Sequence, residues 1–244
     1  MTITTQTIDE IIDIHSHIIF DVDDGSDSLD SSVKALMQAK KMNLKKIICT
    51  PHIRYGNKER IYKIKKNFLE LKKYADKLEI ELYLGTEIML TDKTSQLLKT
   101  KRLRSLDGKK YVLVELKREE SMDIDNVIYM LDDLIDIGFI PILAHPELYS
   151  NYRNIEYLRR IKEIGVLLQL DATSILKKKV KKDVYKFSKK LLKEKVIDIV
   201  ASDNHCNNKR NYNDFNKAYK KIKRKYGKKY TNILFNENPN SILE

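Results

Sequence analysis

The sequence predicts an α/β fold built around parallel strands. Three observations carry that expectation: short apolar runs of strand length recur from end to end, amphipathic stretches at helical spacing lie between them, and no Pro-, Gly- or Ser-rich linker divides the 244 residues. One domain spanning residues 1–244 is therefore expected, and 42% hydrophobic residues suffice for one sizeable core.

In chain order the runs are EIIDIH (10–15), KKIICTPH (45–52), ELYLGTEI (81–88), KYVLVEL (110–116), FIPILAHP (139–146), GVLLQLD (165–171) and IDIVASDNH (197–205). Each reads as a buried parallel strand. Helices are expected where Val33, Leu36 and Met37 fall on one face, with Ser28 or Asp30 as N-cap. A second is marked by Ile61, Ile64, Phe68, Leu71, Ala75 and Leu78, and a third by Val127, Ile128, Leu131, Leu134 and Ile135. Roughly seven strand-helix units in a single domain favour closure into a barrel, with an open doubly wound sheet as the alternative.

Composition narrows the setting. No apolar run approaches the roughly 20 residues that span a bilayer, and the start MTITTQTIDE has neither the basic nor the apolar part of a signal peptide. A cytoplasmic protein is expected. The two cysteines, Cys49 and Cys206, do not form a disulfide framework, which fits a reducing compartment. The net charge of +12 admits a nucleic-acid partner, but lysines lie throughout the chain on helical patterns, so a solvated surface is the favoured reading.

Ionisable residues are placed less evenly. All five histidines, His15, His17, His52, His145 and His205, lie at or just past the C-terminal end of an expected strand. Asp13, Glu87, Glu115 and Asp203 share those positions. In a parallel barrel the strand ends form one rim, so residues far apart in sequence converge on one pocket. His15 and His17, two apart, point to the same side of a strand, as a metal cluster requires. Mixed imidazole and carboxylate donors suit Mn, Fe or Zn, and several carboxylates suggest more than one ion. Within DVDDG (21–25), Gly25 permits the turn and one of Asp21, Asp23 and Asp24 can reach back as a ligand while the others cap or solvate.

These residues resemble a known family. DIHSH, TPH, the lone Glu87, LAHPE and SDNH, in that order, are similar to the PHP (polymerase and histidinol phosphatase) superfamily, and DIHSHIIFDVDDGSDS, ICTPH, VLVE, ILAHPE and NENP resemble its bacterial tyrosine-protein phosphatases of capsule and exopolysaccharide loci. The resemblance runs from about residue 11 to 240. It implies a distorted (β/α)7 TIM-like barrel and a site of three divalent ions, with Mn2+ the first expectation and Fe or Zn as alternatives. It implies His15, His17, Asp24, His52, Glu87, Glu115, His145, Asp203 and His205 as metal ligands, Glu87 as a bridge, Arg210 as the residue that holds the substrate phosphate, and Arg54 as assisting it. The implied reaction is hydrolysis of phosphotyrosine on a tyrosine kinase of polysaccharide export by metal-activated hydroxide. No stable nucleic-acid partner and at most transient membrane proximity are implied.

The chain departs from the family at places around the expected site. The family commonly reads His-Pro-Glu-Arg where this chain has His145-Pro146-Glu147-Leu148, leaving Arg153 as the candidate replacement. Asn204 replaces a small residue, and Lys117 stands where a proline is frequent. These differences bear on substrate preference and leave the ligand set intact. A thiol-based phosphatase is excluded, since it needs arginine six positions after its cysteine and here Tyr55 follows Cys49 and Tyr212 follows Cys206 at that spacing. The alternatives are a phosphatase of a small phosphomonoester such as histidinol phosphate, a PHP nuclease, and a non-enzymatic binding module.

Overall fold

The computed structural model describes residues 10–53, 58–117, 123–207 and 210–244. Its strands are β1 (Ile11–Ser16), β2 (Leu44–Cys49), β3 (Glu81–Leu84), β4 (Glu87–Met89), β5 (Tyr111–Glu115), β6 (Ile140–Ala144), β7 (Leu167–Asp171) and β8 (Ile199–Ala201). Helices between them are α1 (Leu29–Lys41), α2 (Lys58–Lys77), α3 (Thr94–Lys99), α4 (Ile124–Asp136), α5 (Ile155–Glu163), α6 (Lys182–Lys193) and α7 (Tyr212–Tyr226). Short helical turns from Lys228 to Ser241 complete the chain. Every strand pairing is parallel.

The strands do not form one continuous sheet. They make a three-stranded sheet, β1-β2-β3, and a five-stranded sheet, β4-β5-β6-β7-β8. The break falls inside the expected run 81–88, which is two strands rather than one. Gly85 sits at the break, in close quarters: a Cβ there would lie 2.6 Å from Leu106 Cδ2 and 3.3 Å from Ile48 Cγ2, while its N–H still donates to Cys49 O at 2.8 Å. Past it, Glu87 N–H donates to Thr50 O at 3.3 Å and His52 bridges Glu87, joining the two sheets on one side. On the other side Ser16 bridges Asn204. The two sheets thus meet through isolated bridges at both seams rather than through a continuous ladder.

All six residues of β1 are buried, as expected of a strand covered on both faces. Its neighbour β8 is fastened by Asp13, whose carboxylate accepts from Ser202 N at 2.9 Å and Ser202 Oγ at 2.5 Å. Helix starts follow side-chain capping. Ser28, not Asp30, caps α1 through Ser31 N, while Asp123, Asn154 and Asn211 cap α4, α5 and α7. The inner face of α1 is Ala35, Leu36 and Ala39, and Met37, expected to be apolar-facing, is half exposed because the helix turns it past the sheet. The expected faces of α2 and α4 pack inward through Ile64, Leu71 and Ala75 and through Val127, Leu131 and Leu134. In α7, Tyr212, Phe215, Ala218 and Ile222 are buried, and its basic residues lie among the remaining positions. Among the described residues no helix is long and apolar enough to cross a membrane.

Between β1 and α1, Gly25 approaches the backbone so closely that an added Cβ would lie 2.1 Å from His17 O and 2.4 Å from His17 Cβ. Backbone cannot yield as a flexible side chain does. Gly25→Ala is therefore expected to cost about 3 kcal/mol and to lower the melting temperature by about 5–10 °C, read by thermal unfolding, with an unchanged melting point contradicting the close approach.

Candidate metal centre

The strand ends of both sheets deliver their polar residues to one place. His15 comes from β1 and His17 from the residue after its end, His52 follows β2, Glu87 opens β4, Glu115 closes β5, His145 follows β6, and Asp203 and His205 follow β8. Asp24 reaches in from the loop after β1. The donor atoms form four overlapping groups, each compact enough to hold one ion: His17, Asp24, His52 and His205; His15, His17 and Glu87; His15, His145 and Asp203; and His52, Glu87 and Glu115. Together the groups contain all nine residues expected as ligands.

Glu87 is the hub. Its Oε2 lies 3.2 Å from His15 Nε2, 3.2 Å from His17 Nε2 and 3.3 Å from His52 Nδ1, while Oε1 lies 3.0 Å from His145 Nε2. Asp203 Oδ1 stands 3.4 Å from His15 Nε2 and 3.5 Å from His17 Nε2. Asp24 Oδ1 lies 3.6 Å from His52 Nε2 and 3.7 Å from His205 Nε2, and Glu115 Oε1 lies 3.4 Å from His52 Nδ1. Asp24 is 72% exposed, so the cluster is open to solvent on its side, whereas His15, His17, Glu87 and Asp203 are fully buried.

Three histidines are oriented from behind. His17 Nδ1–H donates to Asp23 Oδ2 at 2.8 Å, His15 Nδ1–H to Gln169 Oε1 at 2.8 Å, and His205 Nδ1–H to the Asp203 carbonyl at 2.8 Å. In the neutral rings that pattern leaves each Nε2 with a lone pair aimed at the centre, as metal-binding imidazoles require. Asp23 is itself held by the N–H groups of Gly25 and His52, at 3.0 Å each. The loop thus separates its aspartates: Asp24 faces the cluster, Asp23 supports it, and Asp21 pairs with Lys63 at 2.7 Å.

The donor set fits divalent cations. His15 Nε2 and His17 Nε2 lie 3.2 Å apart, and in the neutral tautomers, with both Nδ1 atoms donating elsewhere, neither can donate to the other. Two nitrogens on one ion at about 2.1 Å would be separated by roughly 3.0–3.4 Å, so the spacing suits a shared cation. Asp203 Oδ1 and Oδ2 are also buried without a hydrogen bond from any described residue, Oδ2 meeting Arg210 as an ion pair. Two of the proposed ligands adopt the left-handed backbone region, His145 with φ 37° and Asp203 with φ 47°, at a cost of about 1–2 kcal/mol each.

Electrostatics express the same concentration of charge. Burial alone would depress His15, but Glu87 and Asp203 outweigh it and push its pKa up to about 9. His17 is raised well above the ordinary imidazole value because Asp23 and Glu87 outweigh its burial. Burial opposes the change in Asp203, yet His15 and Arg210 hold it down at about 2. Burial and the charge on His17 lower His205 to about 4. Outside the cluster, burial and neighbouring Asp171 raise Glu147 to about 8. Burial holds both thiols protonated, with Cys206 pushed up to about 12.

Two cavities open over the cluster. One, of about 490 Å3, contains Arg210 and Asn207 beside His145, Asp203 and His205. The other, of about 790 Å3, shares Asp24, His52, Glu87 and Glu115 and extends to Arg60 and Lys63. Arg210 Nη1 lies 2.5 Å from Asp203 Oδ2, within the site. Arg54 lies outside the described residues. Arg153 does not replace the arginine missing at Leu148: it pairs with Asp183 at the start of α6, and neither cavity includes it. Sequence reasoning missed the supporting roles of Asp23 and Gln169. Gln169, a lone amide inside the apolar run VLLQLD, was a visible signal, whereas nothing local distinguished Asp23 from its neighbours.

Comparison with known proteins places these residues in a family. Residues 11–244 match the family described as capsular polysaccharide synthesis, CpsB/CapC. The chain belongs to the CpsB/CapC family. It is 34% identical over 244 residues to the tyrosine-protein phosphatase CpsB of Streptococcus agalactiae serotype III (strain NEM316), covering 96% of this chain and 98% of that protein. It is 34% identical over 199 residues to the putative tyrosine-protein phosphatase CapC of Staphylococcus aureus, covering 80% and 77% of the two chains. Among solved structures, one described as YwqE from Bacillus subtilis and CpsB from Streptococcus pneumoniae, unique metal-dependent tyrosine phosphatases, superposes with a TM-score of 0.77 at 27% identity, covering 91% of this chain and 90% of that one. This CpsB/CapC chain thus shares sequence and fold with proteins bearing those names.

Two outcomes are expected. Removing the Asp23 carboxylate with Asp23→Ala should weaken Mn2+ binding by about 10–100-fold in equilibrium titration, and unchanged affinity would contradict its supporting role. In chelator-treated protein, raised His15 and His17 bind protons that the unfolded chain has lost, so their stabilisation is present below pH 6.5 and lost as pH rises through about 9. Glu147, raised to about 8, acts in the same direction because its burial becomes costly once ionised. The melting temperature should therefore fall between pH 6.5 and 9, and Mn2+ should diminish the fall; equal melting points without metal would contradict it.

Proposed function

We propose that this chain is a metal-dependent protein-tyrosine phosphatase, a single PHP-type phosphatase domain over residues 1–244 on a distorted (β/α)7 barrel. Its substrate is a phosphotyrosine protein of capsule or exopolysaccharide synthesis, a polysaccharide-export tyrosine kinase, met in the cytoplasm. The observation that carries the reading is the pairing of Arg210 with the histidine-carboxylate cluster in one solvent-open cavity. The family relatives named as tyrosine-protein phosphatases support the substrate class. The two bridges that join the sheets support the barrel.

His15, His17, Asp24, His52, Glu87, Glu115, His145, Asp203 and His205 would hold three divalent ions, Mn2+ first among them, with Glu87 shared between ions. Ions bound there supply an acidified water as nucleophile and positive charge for the phosphoryl oxygens. The chain's own part is to hold and orient. Asp23, Gln169 and the Asp203 carbonyl fix the imidazoles, Arg210 binds phosphoryl oxygens through charge-assisted hydrogen bonds, and the open side beside Asp24 admits a side chain carried on a protein. A phenolate of pKa about 10 leaves readily, so no general acid is required. Both thiols are buried or held protonated, which removes them as nucleophiles.

Chelator-treated protein is expected to release phosphate from a phosphotyrosyl peptide only when Mn2+ is restored, and His15→Ala is expected to lower that rate at least about 100-fold. Phosphoseryl peptide and histidinol phosphate, measured alongside, should react more slowly. Faster release from histidinol phosphate would overturn the substrate, and no release from any of the three would overturn the hydrolase reading.

A further inference from the structure

Of the two cavities over the cluster, the larger reaches Arg60 and Lys63, and the one beside His145, Asp203 and His205 has Arg210 as the one arginine or lysine among its described lining residues. A guanidinium that is to recognise a phosphoryl group depends on where its fork is held, because its flexible stem offers many other directions. Its backbone is fixed at both ends: Arg210 N–H donates to Asn207 Oδ1 at 3.0 Å, and its carbonyl accepts from His205 N at 3.3 Å. The side chain forms ion pairs with two carboxylates. Nη1 meets Asp203 Oδ2 at 2.5 Å, and Nε meets Asp171 Oδ2 at 3.3 Å.

The two carboxylates have different duties. Asp203 also directs Oδ1 at the imidazole cluster, so it is shared with the centre. Asp171 closes β7, is buried, and is built in from two further directions. Its Oδ1 accepts from Thr173 N at 2.7 Å and Thr173 Oγ1 at 2.9 Å, and its own N–H donates to Glu147 Oε1 at 3.0 Å. Its Oδ2 is therefore presented to Arg210 by a fully restrained residue. The contacts to Nε and Nη1 leave Nη2 as the third nitrogen of the fork, available for a phosphoryl oxygen.

We propose that Asp171 is a positioning residue for phosphate recognition: together with Asp203 it clamps the Arg210 guanidinium so that the fork meets the phosphoryl group at the cluster. The inference rests on the reading of this site as a phosphomonoesterase. Because the clamp serves binding of the phosphoryl group before and during reaction alike, its loss falls mainly on KM.

The test uses Mn2+-loaded full chain, with KM and kcat for a phosphotyrosyl peptide and calorimetric affinity for inorganic phosphate. Asp171→Asn keeps the size of the side chain and removes its charge. Its expected effect is a rise in KM of about fivefold or more with kcat within about twofold, a matching loss of phosphate affinity, and no change in Mn2+ affinity. In an Arg210→Ala background the same substitution should add nothing, which a general loss of stability would not produce. An unchanged KM in Asp171→Asn, or an equal further loss in the Arg210→Ala background, overturns the proposal. If Asp171→Asn does not fold, Thr173→Val, which frees Asp171 Oδ1 from one donor, should raise KM in the same direction, and an unchanged KM there also overturns it. A wild-type chain without Mn2+-dependent phosphate release refutes the underlying reading instead, and is distinguished by the wild-type arm alone.

Discussion

The fold answers to one electrostatic constraint, the gathering of four imidazoles around the single buried carboxylate of Glu87. Each of those nitrogens lies within 3.3 Å of a Glu87 oxygen, and Asp203 adds a second buried carboxylate beside two of them. Burying an uncompensated carboxylate costs several kcal/mol, and so does crowding lone pairs together. Positive charge must be supplied at that point, by protons on His15 and His17 or by cations in their place. Folding and ion binding are consequently linked, because the ligands are assembled only where the strand ends converge.

Irregularities in the fold serve the same point. The regular β3 pairing ends by Gly85, and two positions later Glu87 keeps contact with the segment after β2 through Thr50 O and the His52 bridge while opening β4. At the opposite seam, Asp13 ties β8 to β1 through Ser202, which sets the next residue, Asp203, in its left-handed conformation facing His15. Gly25 folds the acidic loop back against His17, so that Asp23 lies behind the imidazole and Asp24 in front.

Much of this was legible in the sequence because hydrophobic runs and their polar ends report directly on strands and rims. Six of the seven runs contain one strand each and the run 81–88 contains two, and the nine residues read from motif resemblance converge in space. What the sequence did not reveal depends on contacts between distant segments. The close quarters at Gly85 are set by Leu106 and Ile48, the exposure of Met37 by how α1 sits on the sheet, and the division of labour between Asp23 and Asp24 by a loop that only Gly25 allows. Asp171 could be seen as another strand-end carboxylate, but its partner Arg210 lies 39 positions away and only the fold brings them within 3.3 Å. Arg153, chosen for proximity in sequence, is turned to Asp183 by the start of α6.

Proton release on Mn2+ binding tests the central claim most directly. Calorimetric titration of chelator-treated protein at pH 7.5, in two buffers of different ionisation enthalpy, counts protons expelled per chain. If cations replace the protons that His15 and His17 hold in the metal-free protein, binding should be saturable and release more than about one proton per chain. Binding without proton release, or no saturable binding, would contradict the account.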